Sequence, residues 1–134
     1  MRFLIAEDDF ATRRLMQKYL SDYGNCDIAV NGIEAVEAFR LSLDEFNPYD
    51  LIYLDIMMSR MDGSKALQEI RKIELERNIE YSNYVKVIIT TACEDSKNII
   101  GSFREGCEAY LVKPIDRKKL IREMAKLGLI VLFN

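Results

Sequence analysis

Residues 51–63 read LIYLDIMMSRMDG. The stretch begins with the apolar run LIYL, which ends in an acidic residue, Asp55. A short, continuous apolar run is typical of a strand that is buried on both faces of a parallel sheet. A carboxylate at the end of such a strand needs a strong compensating partner, because burying an unpaired charge is very costly. We therefore expect the rest of the sequence to supply that partner.

Short β-type runs alternate along the chain with segments whose apolar residues lie three and four positions apart. The predicted strands cover residues 2–6, 26–30, 50–55, 85–90 and 108–112, and the predicted helices cover about 10–22, 33–45, 64–78, 96–105 and 116–127. Five strands alternating with five helices imply right-handed βαβ crossovers and a parallel sheet covered on both faces. The predicted fold is therefore α/β and doubly wound.

Apolar stripes support the first and last predicted helices. The first stripe comprises Leu15, Met16, Tyr19 and Leu20, and the last comprises Leu120, Ile121, Met124 and Leu127. The polar stretch 73–84 is harder to place, and it fits a long third helix followed by a loop.

Chemically active side chains follow the predicted strands. Glu7 and Asp8 come after the first strand, Asp55 ends the third, Thr91 follows the fourth and Lys113 follows the fifth. In a sheet of this kind ligands bind beyond the carboxyl ends of the strands. We therefore expect acids, a hydroxyl and a cation to converge on one edge.

The expected cluster suits magnesium and phosphate. Neighbouring carboxylates raise each other's pKa unless a cation lies among them, and a compact set of oxygen ligands suits Mg²⁺. Mg²⁺ and the ammonium of Lys113 would then neutralise Asp55. A carboxylate beside Mg²⁺ can act as a nucleophile toward phosphorus and form an acyl phosphate. Mg²⁺, Lys113 and the Thr91 hydroxyl would each take one oxygen of the transferred phosphoryl group.

Composition narrows the class of protein. The net charge of -3 argues against a nucleic-acid or anionic-membrane binder, and no apolar run approaches the roughly 20 residues of a membrane span. The beginning, MRFLIAEDD, lacks the features of a signal peptide. The three cysteines have no metal-like spacing and there is no histidine, which disfavours a zinc site. We expect a cytoplasmic protein with reduced thiols.

Four motifs, LIAEDD (4–9), YLDIMMSRMDG (53–63), VIITTA (87–92) and AYLVKP (109–114), occur in a characteristic order and approximate spacing. In this the chain resembles the CheY-like receiver domain of response regulators, the phospho-acceptor modules of two-component signalling. The resemblance extends from Arg2 to about Leu127. It implies a flavodoxin-like sheet with strand order 2-1-3-4-5.

The resemblance also implies a role for individual residues. Asp55 would be the phospho-acceptor, and Mg²⁺ would be held by Glu7, Asp8, Asp55 and the Met57 carbonyl. The phosphate would be bound by Thr91 and Lys113. The switch would consist of Thr91 and Tyr110, and Pro114 would follow a cis peptide bond. Asp9 falls one place beyond the acidic pair and suits a helix N-terminus.

Two features depart from, or vary within, the family pattern. Ser59 stands where such domains usually carry proline, which restores a backbone N–H and loosens the loop without removing any chemistry. Met57 and Cys93 occupy the two variable positions beside the phosphate. A thioether and a thiol are weak hydrogen-bond partners for an attacking water, so both residues are expected to lengthen the lifetime of the phosphoryl group.

Rival functions fit the sequence less well. An aspartyl phosphohydrolase would need a second acid at the position of Met57. A flavodoxin-like redox carrier would need a hydroxyl- and glycine-rich loop where this sequence has AEDDFATRR. A P-loop enzyme would need the motif G-x-x-x-x-G-K, which this sequence lacks. A receiver-fold interaction module that binds partners without phosphate turnover remains the alternative. We expect a protein that is no enzyme beyond catalysing its own phosphorylation and slow dephosphorylation.

The domain and partner assignments follow from the same resemblance. Residues 1–127 are expected to form the receiver domain and 128–134 a short apolar tail, with no residues left for an output domain. The phosphoryl donor would be a histidine kinase or a phosphotransfer protein. The signal would pass to a downstream effector through the surface of the fourth helix, fifth strand and fifth helix, roughly residues 95–127.

Overall fold

The computed structural model describes residues 1–92 and 106–132. Five strands form one parallel sheet, and their bounds are β1 (Arg2–Ala6), β2 (Asn25–Ala29), β3 (Leu51–Asp55), β4 (Lys86–Thr91) and β5 (Ala109–Val112). The strand order is β2-β1-β3-β4-β5, with every neighbouring pair parallel. The predicted α/β class and strand order are confirmed.

Four helices lie in the described part of the chain: α1 (Phe10–Leu20), α2 (Gly32–Asp44), α3 (Gly63–Glu76) and α4 (Arg117–Lys126). Each begins after an Asp or Asn whose side chain accepts a backbone N–H of the first turn, and these caps are Asp9, Asn31, Asp62 and Asp116. The predicted helix 96–105 and Cys93 lie outside the described residues. None of the described helices combines the length and apolar composition that crossing a membrane requires.

Apolar side chains cover both faces of the sheet. The larger cluster lies where α2 and α3 pack, and it includes Leu4, Phe39, Ile52, Ile70 and Ile89. The other face packs against α1 and α4, with Phe3, Ile5, Met16, Ile88 and Leu120 among its members. Because β3 is central, all five of its residues are buried. Asp55, the last residue of this strand, therefore lies at the carboxyl end of the sheet among apolar side chains.

One predicted core position is wrong. Leu15 was expected in the apolar stripe of α1 but is 38% exposed, whereas Met16 and Leu20 are buried. Leu15 directly precedes Met16, and neighbouring positions lie about 100° apart around a helix of 3.6 residues per turn. Only one edge of the predicted stripe therefore faces the sheet. In α4, Leu120, Ile121 and Met124 are buried as expected.

The stretch 73–84 ends a helix and begins a turn. Helix α3 stops at Glu76, and a short 3-10 helix follows at Tyr81–Asn83. Glu74 is buried and accepts the backbone N–H of Val85 at 2.7 Å, so the end of α3 is tied to the residue before β4. After α4, Leu127, Leu129 and Ile130 pack against the α1–α4 core cluster. The beginning of the apolar tail therefore belongs to the packed domain.

Candidate functional site

An acidic cluster lies at the carboxyl edge of the sheet. Glu7 and Asp8 follow the last residue of β1, and Asp55 is the last residue of β3, the strand paired beside β1. One carboxylate oxygen from each of the three lies within 4.8 Å of the others. Glu7 and Asp55 are each only 3% exposed, while Asp8 is open to water. The structure therefore brings the three predicted acids together.

Lys113 joins this cluster from the end of β5. Its Nζ lies 2.5 Å from Oε1 of Glu7 and 3.1 Å from Oδ2 of Asp55. Its backbone N–H donates to the carbonyl of Thr91 at 2.7 Å, which fixes the loop after β5 against the end of β4. The Lys113–Pro114 peptide bond is cis, the form that the resemblance implies. Lys113 is thus the compensating partner that the apolar surroundings of Asp55 require.

The ionisation of the cluster reflects both burial and pairing. Desolvation raises the pKa of Glu7, and the neighbouring Asp55 adds to that increase, while the hydrogen bond from Lys113 acts against it. Desolvation by itself would lower the pKa of Lys113. The interactions with Glu7 and Asp55 outweigh that effect and raise the pKa of Lys113 above its usual range. The lysine therefore remains a cation throughout the physiological pH range.

The other predicted site residues occupy several positions around this cluster. Thr91 is buried at the last position of β4. The Met57 N–H donates to Oδ1 of Asp55 at 3.1 Å, while the Met57 side chain is 69% exposed. Tyr110 lies in β5 and packs, partly buried, against the α2–α3 core cluster. Met57 therefore lies two residues after Asp55 in the chain, and Thr91 ends the strand that pairs with β3.

The loop after Asp55 is held by close backbone contacts. The N–H of Gly32 donates to the Met61 carbonyl at 3.0 Å, and the N–H of Gly63 donates to the Ile56 carbonyl at 3.1 Å. A Cβ at Gly32 would lie 2.1 Å from the Met61 oxygen, so only glycine permits this approach. Gly32, at the start of α2, therefore supports the loop that follows Asp55.

Sequence reasoning also missed Arg13. Its Nη1 atom donates to the carbonyl oxygens of Glu7 and Asp8 at 3.0 and 2.9 Å. The available signal was its position, because a cation near a helix N-terminus opposes the helix dipole and calls for a local explanation. Asp9 behaves as expected and caps α1 by accepting the Thr12 N–H at 2.9 Å.

The donor set fits Mg²⁺. It consists of carboxylate oxygens, with neither imidazole nor thiolate among the three residues, and one member is open to water. Mg²⁺ prefers a few carboxylates together with several retained waters and phosphate oxygens. Glu7, Asp8 and Asp55 are therefore the residues that could hold the ion.

Comparisons with known proteins identify the family of this chain. Residues 3–125 match the family model of the response regulator receiver domain. The chain is 32% identical over 127 residues to the chemotaxis protein CheY of Treponema pallidum, covering 92% of this chain and 80% of that protein. It is 27% identical to the Borrelia burgdorferi chain in a crystal structure of a CheX–CheY–BeF3–Mg²⁺ complex, with a TM-score of 0.76 and coverage of 96% and 89% of the two chains.

The response regulator TrrA of Thermotoga maritima, solved in complex with Mg²⁺ and BeF, is 28% identical with a TM-score of 0.73, and the match covers 94% of this chain and 97% of that one. The length of the relatives varies: the chain spans 52% of a probable transcriptional regulator of Porphyra purpurea and 6% of a hybrid signal transduction histidine kinase of Dictyostelium discoideum. The family match over residues 3–125, the strand order and the acidic cluster lead to one conclusion: the chain belongs to the response regulator receiver domain family of two-component signalling.

Proposed function

We propose that this domain accepts a phosphoryl group on Asp55 in a Mg²⁺-dependent reaction and passes the signal on by a change of conformation. The observation that carries the proposal is the position of Lys113, whose ammonium contacts both Glu7 and Asp55 while Asp8 stays open to water. A buried carboxylate that lies beside a cation and near a second acid open to water is suited to nucleophilic attack on phosphorus.

The chemistry requires little beyond positioning and charge neutralisation. A carboxylate oxygen of Asp55 forms a new bond to phosphorus as the bond from phosphorus to the donor atom breaks, and the leaving group departs with that electron pair. Bound Mg²⁺ would supply charge neutralisation for the phosphoryl oxygens and for the acids. Lys113 would then pair with one phosphoryl oxygen, and the Thr91 hydroxyl would donate to another.

The phosphoryl donor and the downstream effector are not contained in this sequence. The chain has no histidine, so a phosphohistidine donor must be contributed by a kinase or phosphotransfer protein. A crystal structure similar in fold, at 22% identity, joins the yeast phosphotransfer protein Ypd1 to the receiver domain of Ssk1. Signal output would use the surface predicted for roughly residues 95–127, of which the structure describes β5, with Tyr110, and α4. The domain would act in the cytoplasm. The only reactions catalysed would be self-phosphorylation and self-dephosphorylation.

Intact-mass analysis tests the acceptor. Wild type treated with Mg²⁺ and acetyl phosphate should gain the mass of one phosphoryl group, and Asp55→Asn should gain none. Asp22→Asn, an exposed aspartate outside the cluster, serves as the matched control and should behave as wild type. A phosphoryl adduct on Asp55→Asn would refute the assignment, whereas unmodified wild type would favour the interaction module that binds partners without phosphate turnover.

Thermal unfolding tests the metal site. Mg²⁺ should raise the melting temperature of wild type, because a ligand that binds only the folded state stabilises it. The Glu7→Gln, Asp8→Asn double variant should lose this increase. The metal-free form of the single variant Asp8→Asn should be at least as stable as wild type, since like-charge repulsion is relieved while the Glu7–Lys113 ion pair is kept. A Mg²⁺-induced shift in the double variant as large as that of wild type would rule the site out.

A further inference from the structure

Arg13 is the one basic residue of α1 that reaches back to the acidic turn. Its Nη1 donates to the carbonyl oxygens of both Glu7 and Asp8, at 3.0 and 2.9 Å, and its guanidinium carbon lies 5.6 Å from the centre of the Phe10 ring. The side chain is partly buried, whereas that of its neighbour Arg14 is exposed. One guanidinium nitrogen thus holds two consecutive carbonyls in a fixed direction.

The two carbonyls belong to the residues whose carboxylates face Asp55. The Glu7 carboxylate has its own supports, since it accepts the Asp9 N–H at 3.1 Å and pairs with Lys113. The Asp8 carboxylate has neither a hydrogen bond nor an ion pair in the described part of the chain. Its direction therefore depends on the backbone at residues 7 and 8, and Arg13 holds that backbone.

We infer that Arg13 is a positioning residue for Mg²⁺: by binding the carbonyls of Glu7 and Asp8, it directs the Asp8 carboxylate toward the metal position. The inference rests on the proposed function, since it takes the acidic cluster to be the Mg²⁺ site. Arg13 itself carries no oxygen ligand, so it would not bind the ion directly. Its effect is transmitted through the main chain of the β1–α1 turn.

The charge of Arg13 and its positioning contacts have opposite expected effects on Mg²⁺ affinity. A cation close to a metal site repels the incoming ion, so the removal of charge alone should strengthen Mg²⁺ binding. Removal of a positioning contact should weaken it, because the Asp8 carboxylate would then sample directions away from the metal. The sign of the change in Mg²⁺ affinity thus separates the two roles.

The experiment compares Arg13→Met with Arg14→Met. Arg14 is the matched control because it has the same charge, is adjacent in α1, and also lies near the Phe10 ring, at 5.8 Å. MgCl₂ is titrated at constant ionic strength while backbone amide shifts are followed by NMR. We expect Mg²⁺ binding about 10-fold weaker in Arg13→Met, the scale of losing a contact that orients a metal ligand. Arg14→Met should bind as tightly as wild type or slightly more tightly.

Two further measurements keep the inference falsifiable. Thermal unfolding without Mg²⁺ shows whether Arg13→Met is folded, and Arg13→Lys replaces it if it is not. Arg13→Lys keeps the charge but loses the planar fork, so it should bind Mg²⁺ more weakly than wild type. Binding by the Arg13 variant as tight as that of Arg14→Met overturns the inference alone. Failure of wild type to bind Mg²⁺ overturns the proposed metal site together with it.

Discussion

Lys113 contacts Glu7 more closely than it contacts Asp55: its Nζ lies 2.5 Å from the glutamate oxygen and 3.1 Å from the aspartate oxygen. Both carboxylates are almost completely buried. The ammonium is therefore shared between a proposed metal ligand and the proposed phospho-acceptor. In the metal-free protein it performs part of the charge neutralisation that Mg²⁺ would provide.

Replacing Lys113 should make the fold more dependent on Mg²⁺. In Lys113→Met, two buried carboxylates lose their counter-charge, so the metal-free unfolding free energy should fall by roughly 2–3 kcal/mol. The increase in melting temperature on adding Mg²⁺ should exceed that of wild type, since the ion then supplies the missing charge. Lys118→Met, which removes an exposed lysine of α4, is the control. An equal Mg²⁺-induced increase in Lys113→Met and wild type would contradict this role.

The phosphoryl lifetime should depend on Met57 and on Cys93, which lies outside the described residues. The Met57 side chain is largely exposed beside Asp55, and a thioether cannot hold a water for attack on phosphorus. We expect slow self-dephosphorylation in wild type, and loss ~10-fold faster in Met57→Asn with Cys93→Glu, a change of about 1.4 kcal/mol in barrier. Decay of the phosphorylated protein after donor removal, at constant Mg²⁺, measures this. Equal lifetimes would show that other groups control the water.

Gly32→Ala should disturb the Asp55 loop at a distance. The new Cβ would meet the Met61 carbonyl, so residues 56–62 must shift, at a cost of about 1–3 kcal/mol in stability. Self-phosphorylation with acetyl phosphate should slow as well, because this loop carries the Met57 N–H that contacts Asp55. Gly128→Ala is the control: its positive φ also penalises alanine, but it lies after α4 with open space around it. Equal rates in both variants would refute the coupling.

The hydroxyl of Tyr53 should be dispensable. Its oxygen is buried and has no hydrogen-bond partner within the described residues, which leaves its desolvation uncompensated. Tyr53→Phe should therefore raise the unfolding free energy by about 1 kcal/mol. Tyr49 offers a comparison, since its hydroxyl donates to Asp27 at 2.7 Å, and Tyr49→Phe should be destabilising. Urea denaturation measures both; a loss of stability in Tyr53→Phe would indicate a partner for that hydroxyl.

Glu74 should make stability depend on pH. Burial raises its pKa above the ordinary value of 4.5, although Arg71 and the Val85 N–H act in the opposite direction. The folded state thus holds this proton more tightly than the unfolded state. Its stabilising contribution is complete below pH 4.5 and is lost as the pH rises through the raised pKa.

The stability of wild type relative to Glu74→Gln, measured by urea denaturation, should accordingly fall as the pH rises above 4.5 and through the raised pKa of Glu74. Glu76→Gln provides the control, because it removes a carboxylate from the same helix at a position that is exposed at the end of α3. A flat difference for Glu74→Gln would mean that its pKa is the same in the folded and unfolded states.

The sequence by itself determined the strands, the class of fold and the chemistry of the sheet edge. Apolar periodicity is a local property, so the five strands could be placed within one residue of their observed ends. The convergence of Glu7, Asp8, Asp55 and Lys113 followed because the carboxyl ends of neighbouring parallel strands meet at one edge. The helix caps are also local, since Asp9 and Asn31 contact residues only three positions away.

Only the tertiary structure decided how these parts meet. The Lys113–Asp55 contact joins residues 58 positions apart, and its length depends on strand register and loop shape. The exposure of Leu15 depends on the angle at which α1 lies on the sheet. The contact of Gly32 with Met61 and the hold of Arg13 on two carbonyls depend on the path of the backbone through turns. The pattern of side chains along the sequence indicates which face of an element is apolar. It does not determine the direction of a main-chain carbonyl in a turn.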